Sequence, residues 1–278
     1  MGLTIHYSFK APGSDAQARA LVNALHQTAQ DLPFKQLGQV VELAGEQCDA
    51  DKRVSDDRLH WLLIQATGSA EFKPQGRSQD SSYSTWYNVV PSRLIAFDTW
   101  PGEGCDAANF GLCQYPSTIR TNHGPLRTGL SGWRWGSFCK TQYASNPKCG
   151  GVANFLRCHL TAIAMLDKAK EVGCLERVSD EGGFWEKRDL PALVQEIGSW
   201  NEMIAAFGGK LKDLVGEGAL RVESAIAEYP NFEHLEAAGL DKLPPGYKEL
   251  ARLIGRVGAI QRQDSEAGCA AAPSATPS

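Results

Sequence analysis

Residues 3–9 are Leu-Thr-Ile-His-Tyr-Ser-Phe, a strict alternation of apolar and polar side chains. This period of two predicts a β-strand that turns one face to the core and the other to solvent or to a cleft. His6 shares the polar face with Thr4 and Ser8. The segment therefore predicts a sheet with one buried face, and it makes His6 a residue of functional interest.

After residue 9, the patterns predict one helix and then several strands. After the turn Ala11-Pro12-Gly13, Ser14 or Asp15 is placed to cap a helix that runs to about Asp31. The segment Leu59 to Ala66 is apolar on both faces, which predicts a central strand covered on both sides. The other predicted strands are Gln39 to Ala44, Thr85 to Val90, Arg93 to Trp100 and a short one near Phe110 to Tyr115.

Helices dominate the later sequence. Val152 to Val172 carries a continuous apolar stripe and is followed by Gly173, a residue typical of helix ends. A strand is predicted at Cys174 to Val178. Asp189 then caps a longer helix with an expected break at Gly208-Gly209. Further helices are predicted within Ala219 to Ala238 and from Pro245 to about Gln263.

Strands that come first and helices that come later predict an α+β fold, namely a mixed β-sheet with helices packed on one face and a helical C-terminal part. The alternative is a doubly wound α/β fold, which fits less well because strands and helices stop alternating after residue 45. We expect a sheet domain at residues 1–183, a helical part packed on it at 184–264, and a disordered tail at 265–278 that is rich in Ala, Pro and Ser.

The charge pattern is the strongest functional signal. No Asp or Glu occurs between Asp106 and Asp167, although these two types supply 32 of 278 residues, so that roughly seven would be expected there. Cations clustered without carboxylates keep a positive potential, which favours an anionic ligand. The cationic residues of this segment are Arg120, Arg127, Arg134, Lys140, Lys148 and Arg157, and its large aromatic residues include Trp133, Trp135, Phe138 and Tyr143.

Residues 117–151 show almost no regular pattern, so we expect a long basic aromatic loop draped over the sheet. Loops of this length inside compact domains are usually functional or disordered, and the density of aromatic residues argues against disorder. Arg134, Lys140 and Tyr143 are the candidate substrate-binding residues of this loop.

A second candidate anion site lies where the helix from Val152 begins. Gly150 and Gly151 precede the helix, and exposed backbone N–H groups at a helix N-terminus favour negative charge. Asn154 and Arg157 are placed to contact the same anion. The alternative interpretation is that the two glycines only form a tight turn. The segment lacks the GxxxxGK[ST] pattern of a P-loop.

Four residues are candidates for the chemical step. Cys139 is followed by Lys140, whose charge favours a thiolate, and His159 is a possible general base. Asp180 and Glu181 follow a predicted strand, where sheet proteins often gather active sites. The alternatives are that the cysteine is a small buried apolar residue and that the histidine is a hydrogen-bonded core residue.

The remaining composition sets the expected environment. The chain has eight cysteines, no CxxC pair and no secretory signal, which favours reduced thiols and a cytoplasmic location. A zinc site from Cys139, Cys149, Cys158 and His159 would have atypical spacing, so no metal and no cofactor are assigned. Because the sequence has no run of eighteen apolar residues, no membrane span is expected.

Three functions compete at this point. The first is an enzyme that acts on an anionic, possibly phosphorylated, small molecule. The second is a non-catalytic interaction or assembly component, in which Trp133, Trp135 and Tyr143 contact an acidic protein partner. The third is a module that binds single-stranded nucleic acid, against which the net charge of −4 argues. The sequence does not determine the oligomeric state.

Overall fold

A computed structural model describes residues 3–53, 58–73, 84–215, 229 and 231–239 of the chain. The described residues divide into two compact units. The first contains those up to 145 and those from 149 to 190, and the second contains 146–148 and those after 190. The predicted helix from Pro245 to Gln263 and the predicted tail at 265–278 lie outside the described residues.

Antiparallel strands form the frame of the first unit. The main sheet has six strands in the order β12-β1-β11-β8-β6-β3, and every pairing among the described residues is antiparallel, where the sequence suggested a mixed sheet. Three two-stranded pairs, β2-β7, β4-β5 and β9-β10, accompany it. The strands are β1 (Thr4–Ala11), β2 (Gln36–Leu37), β3 (Val41–Ala44), β4 (Gly68–Phe72), β5 (Thr85–Val89), β6 (Arg93–Phe97), β7 (Thr99–Trp100), β8 (Phe110–Gln114), β9 (Thr118–Thr121), β10 (Gly124–Arg127), β11 (Trp133–Lys140) and β12 (Leu175–Asp180).

The helices complete an α+β fold, which confirms the predicted class. They are α1 (Asp15–Gln30), α2 (Arg58–Ala66), α3 (Gly151–Glu171), α4 (Phe184–Lys187), α5 (Leu190–Val215) and α6 (Phe232–Gly239). The backbone of α5 continues through Gly208-Gly209, where a break was expected. None of the helices in the described part of the chain is both long and apolar enough to cross a membrane.

Strand β1 confirms the alternation predicted at residues 3–9. It pairs with β11 over eight consecutive positions, from Thr4 opposite Lys140 to Ala11 opposite Trp133. Ile5 and Phe9 are fully buried and belong to one apolar core with the buried residues of α1 and α3. Because side chains alternate along a strand, His6 and its polar neighbours lie on the opposite face.

Helix α1 begins where the sequence predicts. The Ser14 side chain accepts a hydrogen bond from the Gln17 backbone N–H, and the Gln17 side chain accepts one from the Ser14 backbone N–H at 2.9 Å. This reciprocal pair satisfies two N–H groups that would otherwise have no partner at the helix start. Val22 and Leu25 are buried on its inner face.

The prediction of a central strand at Leu59 to Ala66 is wrong, because this segment is helix α2. Leu62, Leu63 and Ala66 follow the helical period and are buried, whereas Trp61 is 60% exposed and Ile64 is 44% exposed. Apolar residues on both sides of the segment suggested a strand between two layers. In the fold one side is the core contact and the other side is exposed.

The prediction of an irregular loop at 117–151 is also wrong. Most of this segment is the hairpin β9-β10 and the strand β11, which pairs with both β1 and β8. Trp133 and Trp135 are 0% and 2% exposed. These two residues therefore belong to the core and do not have the exposure that an interface anchor needs.

Two glycines in the sheet give a matched test of this packing. A Cβ atom on Gly111 in β8 would lie 2.3 Å from the Ala96 Cβ of β6, whereas a Cβ on Gly136 in β11 would meet no atom within 4 Å. We expect Gly111→Ala to lower the free energy of unfolding by about 1–3 kcal/mol through overpacking. Gly136→Ala should leave it unchanged or raise it slightly, since alanine loses less backbone entropy than glycine. Urea unfolding of both variants measures these two changes in the free energy of unfolding. Equal changes would contradict the register in which Gly111 lies against Ala96.

Candidate functional site

The outward face of three neighbouring strands forms an open polar surface, which we call the open face. The strand register places the side chains of the open face in rows that run across the strands. Ser179, His6 and Phe138 form one row across β12, β1 and β11, and Arg177, Ser8 and Gly136 form the next. Lys10 lies opposite Arg134, and Thr4 lies opposite Lys140. Because one residue in two points outward, the open face collects side chains that are distant in sequence.

A hollow of about 480 Å³ lies in the open face. His6, Ser8 and Ser179 line it together with Arg177, and Gly136 forms part of its wall. Because Gly136 has no side chain, the space above the strand is open there. The volume is within the range of about 300–1,000 Å³ that is common for small-molecule sites.

The charges of the open face favour an anion. Its cations are Lys10, Arg134, Lys140 and Arg177, and its carboxylates are Glu176 and Glu181. Glu176 Oε2 lies 3.8 Å from Arg134 Nη1 and accepts a hydrogen bond from the Ser8 hydroxyl at 3.3 Å. Lys10 and Arg177 have no ion-pair partner within the ranges that the structure describes. Their potential therefore stays positive toward solvent.

Two rings lie side by side on the same surface. The His6 and Phe138 ring centroids are 5.9 Å apart, and Phe138 is 43% exposed. Lys140 Nζ lies 4.6 Å from the centroid of Tyr143, in the turn that follows β11. An exposed apolar ring beside cations can contact the flat part of a ligand while the cations hold its charge.

Cys139 does not reach the open face. It points inward from β11, is fully buried, and its Sγ lies 3.4 Å from the Asp106 carbonyl oxygen. Burial raises the pKa of the Cys139 thiol far above its ordinary value, and the nearby Asp106 carboxylate adds to the effect. This thiol is therefore protonated and inaccessible to a substrate in the described conformation, so it carries no nucleophilic role.

His159 and Asp180 meet in a buried polar chain with Thr141. His159 Nδ1 lies 3.0 Å from the Thr141 hydroxyl, and its Nε2 lies 3.3 Å from Asp180 Oδ2. With the proton on Nε2, the ring donates to Asp180 and accepts from Thr141. All three side chains are enclosed. The arrangement resembles a catalytic triad in residue type, but it joins the residue after β11 to α3 and β12 inside the fold.

Asp180 is held as a carboxylate although it is enclosed. Burial opposes its ionisation, but hydrogen bonds from His159 and from the backbone N–H groups of Trp185 and Gly182, both at 2.9 Å, outweigh that effect and lower its pKa. Glu181 points away from it, and its Oε2 accepts a hydrogen bond from the Thr4 N–H at 2.9 Å. The two neighbouring acids therefore do not form one site.

Asn154 and Arg157 hold the chain together near the start of α3. Asn154 Nδ2 donates to the carbonyl oxygens of Glu103 and Ala144 at 3.0 and 3.1 Å. Arg157 Nη1 donates to the carbonyl oxygens of Pro33 and Pro101, both at 2.8 Å. Protein acceptors already use these donors, which leaves little hydrogen-bonding capacity for an anion at this helix start.

The structure does not bring the predicted site residues together as the sequence suggested. Arg134 and Lys140 share the open face, and Tyr143 contacts Lys140. Cys139, His159 and Asp180 are in the interior, whereas Asn154 and Arg157 bind backbone carbonyls elsewhere. Lys10, Arg177 and Gly136 were not among the residues predicted from the sequence. The alternation in β1 marks Lys10 as outward, but Arg177 becomes significant only when β12 is paired with β1.

In the part of the chain that the structure describes, no three His, Cys, Asp or Glu side chains are arranged to hold a metal ion. Comparison of the chain with protein-family models, with curated proteins and with solved structures finds no match.

The Asp180 network predicts a pH-dependent stability. Because folding lowers the pKa of Asp180, its carboxylate stabilises the fold above its unfolded pKa of about 3.9, and this contribution is lost as the pH falls through the lower folded value. At pH 7 we expect Asp180→Asn to lower the free energy of unfolding by about 1–3 kcal/mol. Below about pH 4 the difference from the wild type should narrow.

Urea unfolding between about pH 3 and pH 7 measures this difference. Asp167→Asn is a matched control, because Asp167 forms an exposed ion pair with Arg188. A wild-type and Asp180→Asn difference that stays constant with pH would show that the carboxylate charge does not stabilise the network.

Proposed function

We propose that the protein is an enzyme that binds an anionic, phosphate-bearing small molecule on the open face. The observation that carries the proposal is that Lys10 and Arg177, which have no carboxylate partner among the described residues, share one surface with an exposed ring and a hollow. Lys10 and Arg177 bind the phosphate, since charge-assisted hydrogen bonds to phosphate are stronger than neutral ones. The Phe138 ring contacts the flat part of the ligand.

His6 is the residue that we assign to proton transfer. It lines the hollow and is exposed, and an imidazole is the side chain that enzymes use most often to transfer a proton. The hydroxyl groups of Ser8 and Ser179 line the same hollow and can orient a bound oxygen. This assignment replaces the earlier candidates Cys139 and His159, because a catalytic group must reach the substrate.

The two alternative functions have less support. The interaction hypothesis named Trp133, Trp135 and Tyr143 as contacts. The two tryptophans are core residues, and Tyr143 is partly buried. Binding of single-stranded nucleic acid would use the same exposed Phe138 and His6 rings with Arg177, so it is distinguished by ligand preference and salt dependence. A hollow of limited volume favours a small molecule over an extended strand.

The first test is binding of ATP and inorganic pyrophosphate by thermal shift and calorimetry. We expect the wild type to be stabilised, because a ligand that binds only the folded state raises Tm. Arg177→Ala should weaken binding about tenfold or more, the equivalent of one lost charge-assisted contact. Arg120→Ala is the matched control, since Arg120 is an exposed cation of the β9-β10 hairpin and not of the open face.

A second variant tests the place of binding without changing a charge. Gly136→Leu should fill the hollow and abolish binding, and Gly136→Ala should reduce it less, because a Cβ at this position meets no atom. Equal affinity of Arg177→Ala and Arg120→Ala would contradict the proposal. Tighter binding of oligothymidylate than of ATP, lost steeply with added salt, would instead support the nucleic-acid alternative.

A further inference from the structure

A second hollow, of about 380 Å³, lies outside the open face, and we call it the tryptophan hollow. Two tryptophans line it, Trp61 of α2 and Trp100 of β7, together with Asp98. Its volume is within the range of about 300–1,000 Å³ that is common for small-molecule sites. The other described residues of its lining are Gln36, Thr99, Ala107 and Asn109.

Trp61 is exposed but held in position. It is 60% exposed on the outer side of α2, although an indole is one of the side chains that gain most from burial. The His60 ring packs edge-on against it, with the two centroids 5.5 Å apart. His60 Nδ1 in turn lies 3.0 Å from the Ala50 carbonyl oxygen. An indole that is already held in place loses little conformational entropy when a ligand binds to it.

Hydrogen bonds fix the helix that carries Trp61 beside the strand that carries Trp100. Gln65 lies one turn after Trp61, and its Oε1 accepts a hydrogen bond from Asn109 Nδ2 at 2.7 Å. Asn109 Oδ1 accepts one from the backbone N–H of Thr99, the neighbour of Trp100, at 3.2 Å. Asn109 and Thr99 are both buried. The walls of the tryptophan hollow are therefore formed before a ligand arrives.

Trp100 already takes part in a contact with a cation. Lys35 Nζ lies 5.4 Å from the centroid of the Trp100 ring, and the indole Nε1 donates to the Cys105 carbonyl oxygen at 3.0 Å. Lys35 also forms an ion pair with Glu103. Because the Glu103 carboxylate balances the charge of Lys35, this lysine repels a cationic ligand only weakly.

Asp98 supplies the charge of the tryptophan hollow. Among the described residues of its lining, Asp98 is the only one with an acidic or basic side chain. A Cβ on Gly38 would overlap Asp98 Oδ1, so the glycine leaves room for the carboxylate. A carboxylate has about four lone-pair sites, so Asp98 can accept a hydrogen bond from a ligand in addition to its contacts within the protein.

We infer that the tryptophan hollow binds a small planar organic cation. The indole rings attract a positive charge and offer a flat apolar surface to an aromatic ligand. The Asp98 carboxylate balances the charge of the ligand, and the exposed Gln36 side chain can form a hydrogen bond with it. Asp98 would repel a phosphate group. The tryptophan hollow and the open face therefore differ in the charge of the ligand that they select.

The test is calorimetric titration of the full-length protein, near neutral pH, with N-methylquinolinium and with quinoline. The two probes have nearly the same shape, but only the first is a cation. We expect N-methylquinolinium to bind about tenfold more tightly than quinoline. Asp98→Asn should weaken binding of the cation and leave the affinity for quinoline unchanged.

Trp61→Ala should weaken binding of N-methylquinolinium roughly three- to thirtyfold, the range that corresponds to the loss of one cation–π contact. Trp86→Ala is the matched control, since Trp86 of β5 is 62% exposed but does not line the tryptophan hollow. Because both tryptophans are exposed, both variants should fold, and circular dichroism checks this. Arg177→Ala, on the open face, should bind the cation as the wild type does.

Three results would overturn the inference. The first is equal affinity of the wild type for N-methylquinolinium and quinoline. The second is an equal loss of affinity in Trp61→Ala and Trp86→Ala. The third is no binding of N-methylquinolinium at about millimolar concentration, which would mean that the tryptophan hollow gives a planar cation no useful affinity.

Discussion

The eight-residue antiparallel register between β1 and β11 is the constraint on which the other features depend. It directs Ile5, Phe9, Trp133 and Trp135 into the core and directs His6, Lys10, Arg134 and Phe138 outward. A shift of this register by one residue would put cations in the core and tryptophans in water. The loss of folding free energy would be larger than any local contact could offset. The core and the open face are therefore two consequences of one pairing.

The sequence was informative where a single segment carries its own periodicity. The alternation at residues 3–9, the cap at Ser14 and the apolar stripe of α3 each predicted the correct element. The strand prediction at Leu59 to Ala66 was wrong because the exposed residues Trp61 and Ile64 give the segment a second apolar side, as a doubly covered strand would have. The β11 residues alternate as clearly as those of β1, but the glycines and serines around them suggested a loop.

The functional prediction was limited for a different reason. Sequence shows where cations are concentrated but not which of them already have partners in the fold. Arg157 belongs to the segment without carboxylates, yet backbone carbonyls and Cys158 occupy its donors. Arg177 lies outside that segment and reaches the open face only through the pairing of β12 with β1. Only the tertiary structure shows which cations already have hydrogen-bond partners and which reach the open face.

The most direct test of the open face is to follow backbone amide chemical shifts of isotope-labelled protein during titration with ATP. We expect the largest changes at Ser8, Gly136 and Arg177, on three strands that only the folded register brings together. Changes that centre on Gly150 and Asn154 at the start of α3, or that are absent from all three strands, would contradict binding at the open face.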